Sequence, residues 1–250
     1  MQKSKTRLFI EKQISQNLMI YIKDKQHHFL KNVLRVKLND RISIFDGITG
    51  EWVANIISVS KDKIVVKVLN KIRDFDIQPD IWLLFAPIKL IRLNITIQKA
   101  VELGVSKFVP CKTEYSNFEK LNYKNLELNA VEASQQCERL DVPKIEKIIS
   151  FNTLISDFPT DRALVFCDES DSSLPSIYDE VKSKVDIYKK WAVIIGPEGG
   201  FSNEEKNSLI KKSNVLSVTL GKRILRSDTA AISSLFCIQS LIDKRQPVLE

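Results

Sequence analysis

The chain has 250 residues, of which 44% are apolar and 28% charged, so it can bury a core and is not expected to be disordered. Its formal net charge is +7, and +6 of this falls in residues 1–80, which hold 15 Lys and Arg against 9 Asp and Glu. Such a basic segment favours a polyanionic partner, nucleic acid first, over a merely well-solvated basic surface.

The same composition bears on location and metal chemistry. The longest uncharged apolar run, Ile81–Ile88, is too short to cross a bilayer, and the N-terminus has no apolar signal core. We therefore expect a cytoplasmic protein with no membrane partner. The four cysteines are widely spaced and form no CxxC pair, and there are only two histidines, so the sequence predicts free thiols and no metal site.

Residues 1–73 alternate apolar and polar side chains in short runs, a pattern typical of a small, mostly β barrel or sandwich. Asp46-Gly47 indicates a turn between two strands. The polar, proline-containing segment 74–80 is predicted to be a linker. Strands are predicted at 6–11, 18–22, 41–45, 51–60 and 63–69, and one helix at 25–35.

Residues 81–250 alternate between short apolar strands and helices, which predicts a mainly parallel sheet covered by helices. In such sheets, ligands bind beyond the carboxyl ends of the strands, here in the loops after Cys167, Ile195 and Leu220. Strands are predicted at 81–86, 107–111, 163–167, 191–195 and 215–220, and helices at 93–103 (closed by Gly104), 125–140, 174–185, 203–211 and 227–242.

The loop after Ile195 reads Gly196-Pro197-Glu198-Gly199-Gly200-Phe201-Ser202. Its three glycines allow positive φ and close approach of a ligand to the backbone, while Ser202 and Glu205 form a capping box for the next helix. A tight strand-to-helix turn without a ligand explains the pattern equally well. The chain lacks both GxxxxGK[ST] and a GxGxxG after its first strand, which disfavours Walker-type NTPases and ordinary dinucleotide sites.

The loop after Leu220 brings basic residues to the start of the last helix. Ser227 is predicted as its N-cap, and Asp228 suits its first turn through the helix dipole. By themselves, these residues fit a purely structural role, in which Asp228 only caps and Arg226 only forms a salt bridge.

Together the two loops are more specific. GPEGGFSNEE followed by LGKRILRSDTA resembles the SPOUT class of RNA methyltransferases and, within it, the ribosomal RNA small subunit methyltransferase E family. IQKAVELGVSKFVP (97–110), QQCERLDVP (135–143) and HHFLKNVLRVKLNDRISIFDG (27–47) resemble further segments of that family in the same order. The resemblance covers nearly the whole chain.

The resemblance implies an α/β fold in which a small PUA-like RNA-binding β-barrel (1–73) precedes a knotted SPOUT parallel-sheet domain (81–250). It also implies a trefoil knot, a homodimer, S-adenosyl-L-methionine bound in the knot loops, and methylation of N3 of a uridine near the decoding centre of 16S rRNA in the small ribosomal subunit. The residues implied for the cofactor are Asp168, Glu169, Ile195, Gly196, Pro197, Glu198, Gly199, Gly200, Leu220, Gly221, Ile224, Leu225 and Arg226. Backbone groups of Gly196, Gly200, Leu220 and Leu225 would read the adenine and ribose.

For catalysis, Arg226, or Arg139 of the other subunit, would stabilise negative charge on the base. Asp228 or Glu198 would accept the N3 proton, or else Asp228 would only orient Arg226. RNA contacts are expected from Lys3, Lys5, Arg7, Lys31, Arg35 and Arg92, and His28 or His27 would stack on a base unless it is a helix-face or core histidine.

Several positions differ from the usual family pattern. Asn94 stands where Glu is common, Tyr115 where Arg is usual, and Glu138 in place of Gly before Arg139. The cofactor loops are nearly intact, which favours an enzyme over a non-catalytic RNA-binding protein of ribosome assembly. The same chemistry on another RNA is the third alternative.

Overall fold

A computed structural model describes residues 4–117, 120–171 and 173–243. It divides into two compact units: one comprises the described residues up to Ile77 together with Ser134–Val142, and the other comprises Gln78–Ala133 and the described residues from Pro143 onwards. Within the described residues, no helix is long and apolar enough to cross a membrane. All four cysteines are free thiols, as predicted.

The N-terminal unit is built on a five-stranded sheet with the order β1-β3-β4-β5-β2, in which β1 runs parallel to β3 and the other pairs are antiparallel. Alternating apolar side chains from these strands fill a buried core that includes Leu8, Ile44 and Val66. Its strands are β1 (Arg7–Phe9), β2 (Met19–Ile22), β3 (Arg41–Phe45), β4 (Glu51–Val59) and β5 (Ile64–Arg73).

Two local features of this unit follow from the sequence. The predicted helix at 25–35 is present as α1 (Asp24–His28), which continues as a π-helical turn, Phe29–Val33, and buries Leu30. The turn predicted at Asp46 is confirmed, because the Asp46 carboxylate accepts hydrogen bonds from the backbone N–H groups of Ile48 and Thr49.

The C-terminal unit is a parallel sheet with the order β12-β10-β11-β6-β7-β8, and β9 also pairs with β7. Apolar strands buried on both faces make up its centre, as expected for a parallel sheet covered by helices. Its strands are β6 (Asp80–Phe85), β7 (Lys107–Lys112), β8 (Lys144–Ile145), β9 (Ile149–Ser150), β10 (Arg162–Cys167), β11 (Lys190–Ile195) and β12 (Val215–Val218).

The helices of this unit confirm the predicted alternation. They are α2 (Leu90–Glu102), α3 (Tyr123–Gln136), α4 (Phe151–Ser156), α5 (Ile177–Lys184), α6 (Asn203–Ile210) and α7 (Ser227–Asp243). Gly104 follows α2 with φ +81°, the left-handed conformation expected after a helix end. The short elements β8, β9 and α4 were not predicted, because segments of two to six residues carry too little periodicity.

The segment after α3 departs from the sequence prediction. A helix was expected to run to residue 140, but α3 ends at Gln136, and Ser134–Val142 groups with the N-terminal unit. Arg7 explains this placement, because its guanidinium donates to the carbonyl oxygens of Ser134, Gln135, Glu138 and Arg139 at 3.1–3.4 Å. These carbonyls lie at and beyond the helix end, where intrahelical donors run out, and the carbonyl of Glu138 also accepts from Arg73 at 2.7 Å.

Glu138 lies in this segment with φ +64°, a region in which a side chain costs about 1–2 kcal/mol. A glycine, which the family pattern that the chain resembles has here, would adopt this conformation without that cost. We expect Glu138→Gly to stabilise the protein by up to about 1 kcal/mol, because relief of strain exceeds the added entropy of the unfolded chain. Urea unfolding followed by circular dichroism would measure the change.

Glu127→Gly, an exposed position within α3, is the matched control and should instead lose about 1 kcal/mol. Equal losses at the two positions would contradict the strain argument.

Candidate active site

The loops after β10, β11 and β12 meet at the carboxyl end of the parallel sheet. They enclose a cavity of about 370 Å³ with a smaller one of about 50 Å³, and Asp168, Glu169 and Leu225 line both. Every residue that the sequence assigned to the cofactor lines one or both of these cavities. Side chains that sequence reasoning missed also contribute to the larger cavity: Phe166, Cys167, Ser170, Phe201, Lys206, Ser227 and Ala230.

Close packing fixes the glycine-rich loop. A Cβ atom at Gly196 would come within 2.8 Å of the Phe201 ring, and Gly200 has φ +71°. Phe201 in turn packs its ring against Phe151 and Phe166, with centroids 5.9 and 5.5 Å away. The N–H of Gly200 donates to the carbonyl of Pro197 at 2.9 Å, so this group is used within the turn and does not remain free to read a ligand.

The loop leads directly into α6, whose capping box is confirmed. Ser202 accepts from the N–H of Glu205, and the Glu205 carboxylate accepts from the N–H of Ser202. The other carboxylate oxygen of Glu205 accepts from the N–H of Glu114 at 2.9 Å. Glu205 is buried, so it fastens the loop after β7 to the start of α6.

The last loop is tied to the glycine-rich loop by Ser227. Its hydroxyl donates to the carbonyl of Gly196 at 3.0 Å, and α7 begins at Ser227 itself. The carbonyl of Arg226 accepts from the N–H of Ala230 at 2.8 Å, which makes Arg226 the N-cap residue. The N-cap is therefore one residue before Ser227, the position predicted. The Ser227 hydroxyl instead joins the two loops.

Arg226 lines the larger cavity with an exposed side chain that makes no hydrogen bond or ion pair with any described residue. Asp228 lies outside the described cavity lining, and its carboxylate accepts from the N–H of Thr229 at 3.0 Å. Within the described part of the chain the two side chains do not pair. The structure therefore does not support the alternative in which Asp228 orients Arg226.

Lys206 and Asp168 form an ion pair on the cavity wall, with Nζ 2.9 Å from Oδ1. Burial opposes ionisation of Asp168, but hydrogen bonds from Ser170 and Lys206 outweigh it and lower the pKa of this carboxyl. Nearby, burial raises the pKa of the Cys167 thiol to about 11, so Cys167 is a neutral, apolar part of the wall at neutral pH.

Comparison with known proteins agrees with this architecture. A family model described as an RNA methyltransferase domain matches residues 76–239, and an RNA methyltransferase PUA domain matches residues 22–69. The ribosomal RNA small subunit methyltransferase E of Rickettsia conorii is 32% identical over 94% of this chain and 95% of its own length. The chain belongs to the ribosomal RNA small subunit methyltransferase E family.

Two further relatives support the assignment. The methyltransferase E of Bacillus subtilis is 30% identical over 93% of this chain and 95% of its own length. The crystal structure of a methyltransferase E from Neisseria gonorrhoeae bound to S-adenosyl methionine matches with a TM-score of 0.79 and 25% identity, over 94% of this chain and 97% of that one. The predicted fold, a PUA-like domain followed by a SPOUT-type parallel-sheet domain, is thereby confirmed.

Two positions that depart from the methyltransferase E pattern make tertiary contacts. Asn94 joins helices α2 and α3, because its side-chain oxygen accepts from Asn125 at 3.2 Å and its carbonyl from Asn129 at 2.8 Å. Tyr115 lies beside the glycine-rich loop, where a Cβ atom on Gly199 would come within 3.1 Å of the tyrosine Cβ. Glycine at position 199 therefore lets its backbone approach position 115 closely, whichever side chain stands there.

Arg92 lies beside the larger cavity, next to one of its lining residues. Its guanidinium lies 3.2 Å from the carboxylate of Glu198, which lines the cavity, and both side chains are partly exposed. The sequence assigned Arg92 to RNA and Glu198 to the cofactor or to proton transfer. Because the pair is partly exposed, Arg92 can hold Glu198 in place and still meet an anionic partner.

The other residues predicted to bind RNA lie in the N-terminal unit and differ in availability. Lys5 pairs with Asp40 at 2.6 Å and Lys31 donates to the carbonyl of Ser60 at 2.9 Å, yet both are partly exposed. His28 and Arg35 are exposed, and Arg35 has φ +50°. The prediction for Lys3 falls outside the described residues.

The contacts of Arg7 and Arg139 differ from those that their predicted roles require. The Arg7 side chain is only 11% exposed, and its Nε donates to Glu51 at 2.8 Å in addition to its four carbonyl contacts, so its donors are used inside the unit rather than offered to phosphate. Arg139 is buried and forms a two-point ion pair with Asp141, each bond 2.9 Å. Both arginines therefore make structural contacts, and a catalytic contribution of Arg139 from a second subunit stays a prediction.

His27 resembles neither a core residue nor a free stacking platform. One ring nitrogen lies 3.3 Å from the carbonyl of Ser60, and the residue is half-buried on α1. The helix-face alternative therefore describes it.

Proposed function

We propose that this protein is an S-adenosyl-L-methionine-dependent methyltransferase that acts on N3 of a specific uridine of 16S rRNA in the small ribosomal subunit. The observation that carries the proposal is the larger cavity, which three loops of the parallel sheet form, with the guanidinium of Arg226 on its wall and unpaired among the described residues. Membership in the methyltransferase E family supports the same reaction.

The residues present fit S-adenosylmethionine. The cavity volume of about 370 Å³ lies within the range of roughly 300–1000 Å³ typical of small-molecule sites. Ile195, Ile224 and Leu225 supply apolar walls suited to an adenine ring, while Asp168 and Lys206 supply polar groups for the rest of the molecule. When bound, the cofactor supplies a methyl group carried on a sulfonium.

The chain's own residues must handle the proton on uridine N3, which is present at neutral pH. Arg226 would stabilise negative charge on the base as this proton leaves. Glu198 is favoured over Asp228 as the proton acceptor, because Glu198 lines the cavity and Asp228 does not. Rigid loops would hold the base in line with the methyl group, and such alignment contributes on the order of 7–11 kcal/mol.

The PUA-like domain would bind the phosphate backbone through basic side chains that are exposed, such as Lys5 and Arg35, or partly exposed, such as Lys31. The target base must be unstacked to expose N3, as in other enzymes that modify bases. We expect the protein in the cytoplasm, because ribosomal subunits are assembled there.

The test is methyl transfer to small ribosomal subunits that lack the modification, followed by digestion of the 16S rRNA and mass spectrometry. A single new 3-methyluridine is the expected result. Bound S-adenosylmethionine without methylation would redirect the search to another RNA. Neither methylation nor cofactor binding would overturn the proposal in favour of a non-catalytic assembly protein.

We further propose a homodimer and the trefoil knot of SPOUT proteins. Large apolar side chains are exposed on α2 and α7: Leu90, Ile91, Ile95 and Phe236, with exposed fractions of 50, 79, 43 and 62%. A surface of this kind favours association with a second copy. Light scattering at micromolar concentration should give twice the chain mass of 28.7 kDa.

Ile91→Glu should shift the measured mass toward one chain, because a charge on this face is costly to bury. Ile187→Glu, an exposed apolar position outside α2 and α7, is the matched control. A single-chain mass for the unmodified protein would contradict the dimer.

A further inference from the structure

One polar cluster on the cavity wall has so far been given only a general polar role, with no part of the cofactor assigned to it. Lys206 Nζ donates to Asp168 Oδ1 at 2.9 Å and to Ser170 Oγ at 2.7 Å, and the Ser170 hydroxyl donates in turn to the same Asp168 oxygen at 2.7 Å. Asp168 and Ser170 come from the loop after β10, whereas Lys206 comes from the first half of α6. The cluster therefore joins two separate parts of the wall.

The cluster is largely buried, but its hydrogen-bonding groups are not all used. The Lys206 side chain is 22% exposed and that of Asp168 is 10% exposed. A lysine ammonium has three donors, of which two are used here, and within the described residues Asp168 Oδ2 accepts no hydrogen bond. One N–H donor and one carboxylate oxygen thus remain side by side at the cavity.

An adjacent cation and anion complement an α-amino acid. The cation donates hydrogen bonds to its carboxylate, and the anion accepts them from its ammonium group. We propose that Lys206 and Asp168 bind the amino-acid arm of S-adenosylmethionine, with Lys206 on its carboxylate and Asp168 on its ammonium. This inference rests on the proposed function. It assigns to the α6 side of the cavity a recognition role separate from that of the apolar walls.

Ligands that differ only in this arm provide the test. S-Adenosylhomocysteine carries it, and 5′-methylthioadenosine keeps the adenine, ribose and thioether but lacks it. Isothermal titration of the full-length protein would measure both affinities in the unmodified chain, in Lys206→Met and in Asp168→Asn. Lys211→Met, at an exposed position just after α6, is the matched control.

We expect Lys206→Met and Asp168→Asn to weaken S-adenosylhomocysteine about 10- to 100-fold, the effect of losing one charge-assisted hydrogen bond. Binding of 5′-methylthioadenosine should change less than about threefold, which also shows that the variant cavity is folded. Lys211→Met should change neither affinity.

Equal losses for both ligands would assign the cluster to the ribose or to the fold and overturn the inference, as would unchanged affinity for S-adenosylhomocysteine. If the unmodified chain bound neither ligand, the proposed function itself would fail. If it bound both with equal affinity, the cofactor site would stand and only the role of Lys206 and Asp168 would fall.

Discussion

Arg226→Ala should lower kcat for methyl transfer about 100- to 1000-fold while the protein stays folded. That is the typical effect of removing one donor that stabilises developing negative charge. The guanidinium lines the cavity and is not engaged by any described residue, so its removal leaves no buried partner unsatisfied. Its backbone carbonyl, which caps α7, is kept in the variant.

Initial rates of methyl transfer to small subunits would measure the change, with a thermal melt to confirm the fold. Arg226→Lys should recover only part of the rate, because lysine keeps the charge but loses the planar fork of donors. Lys222→Ala is the matched control, since this exposed cation lies in the same loop but lines neither cavity. Near-normal turnover of Arg226→Ala would exclude the proposed role.

The positions of the cofactor loops could be predicted because their signals are local. Glycines at 196 and 200 mark where a side chain would clash or where φ is positive, and Ser202 with Glu205 marks a helix start within four residues. A parallel sheet then brings the ends of its strands to one edge. Local signals and topology were thus enough to place the three loops, whereas the individual cofactor residues came from the family resemblance.

The ion pair between Lys206 and Asp168 was missed for the opposite reason. The two residues are 38 positions apart, and lysine on an amphipathic helix is ordinarily a solvated residue. Nothing in the spacing indicates that this lysine turns toward the loop after β10. Whether two side chains from different loops form an ion pair depends on how the strands and helices pack. Periodicity predicts the type of sheet but not that packing.

The segment after α3 shows the same limit for the fold. Its helical pattern predicts helix up to residue 140, and only tertiary contacts reveal that the chain leaves the helix after Gln136. The contacts of Arg7, which lies about 130 positions away in the sequence, stabilise a non-helical backbone here despite the local helix propensity. A positive φ can be inferred from sequence where glycine occupies the position. At position 138 the residue is Glu, so the sequence carries no such signal.

Arg7→Ala should lower the free energy of unfolding by about 3–5 kcal/mol, the range for breaking a buried ion pair. The variant leaves the Glu51 carboxylate, 6% exposed, with only the longer contact to Arg73 at 3.6 Å. It also leaves the carbonyl oxygens after α3 without their donor. Urea unfolding, with the midpoint compared at constant slope, would measure the loss.

Arg7→Lys separates this structural role from the phosphate contact that the sequence suggested. A lysine keeps a positive charge for phosphate but cannot supply five donors in a plane, so it should also be destabilising. Lys67→Ala, an exposed position on β5, is the control and should change stability by less than about 0.5 kcal/mol. A stable Arg7→Ala variant whose RNA binding loses about one unit of salt dependence would restore the phosphate contact and refute the structural role.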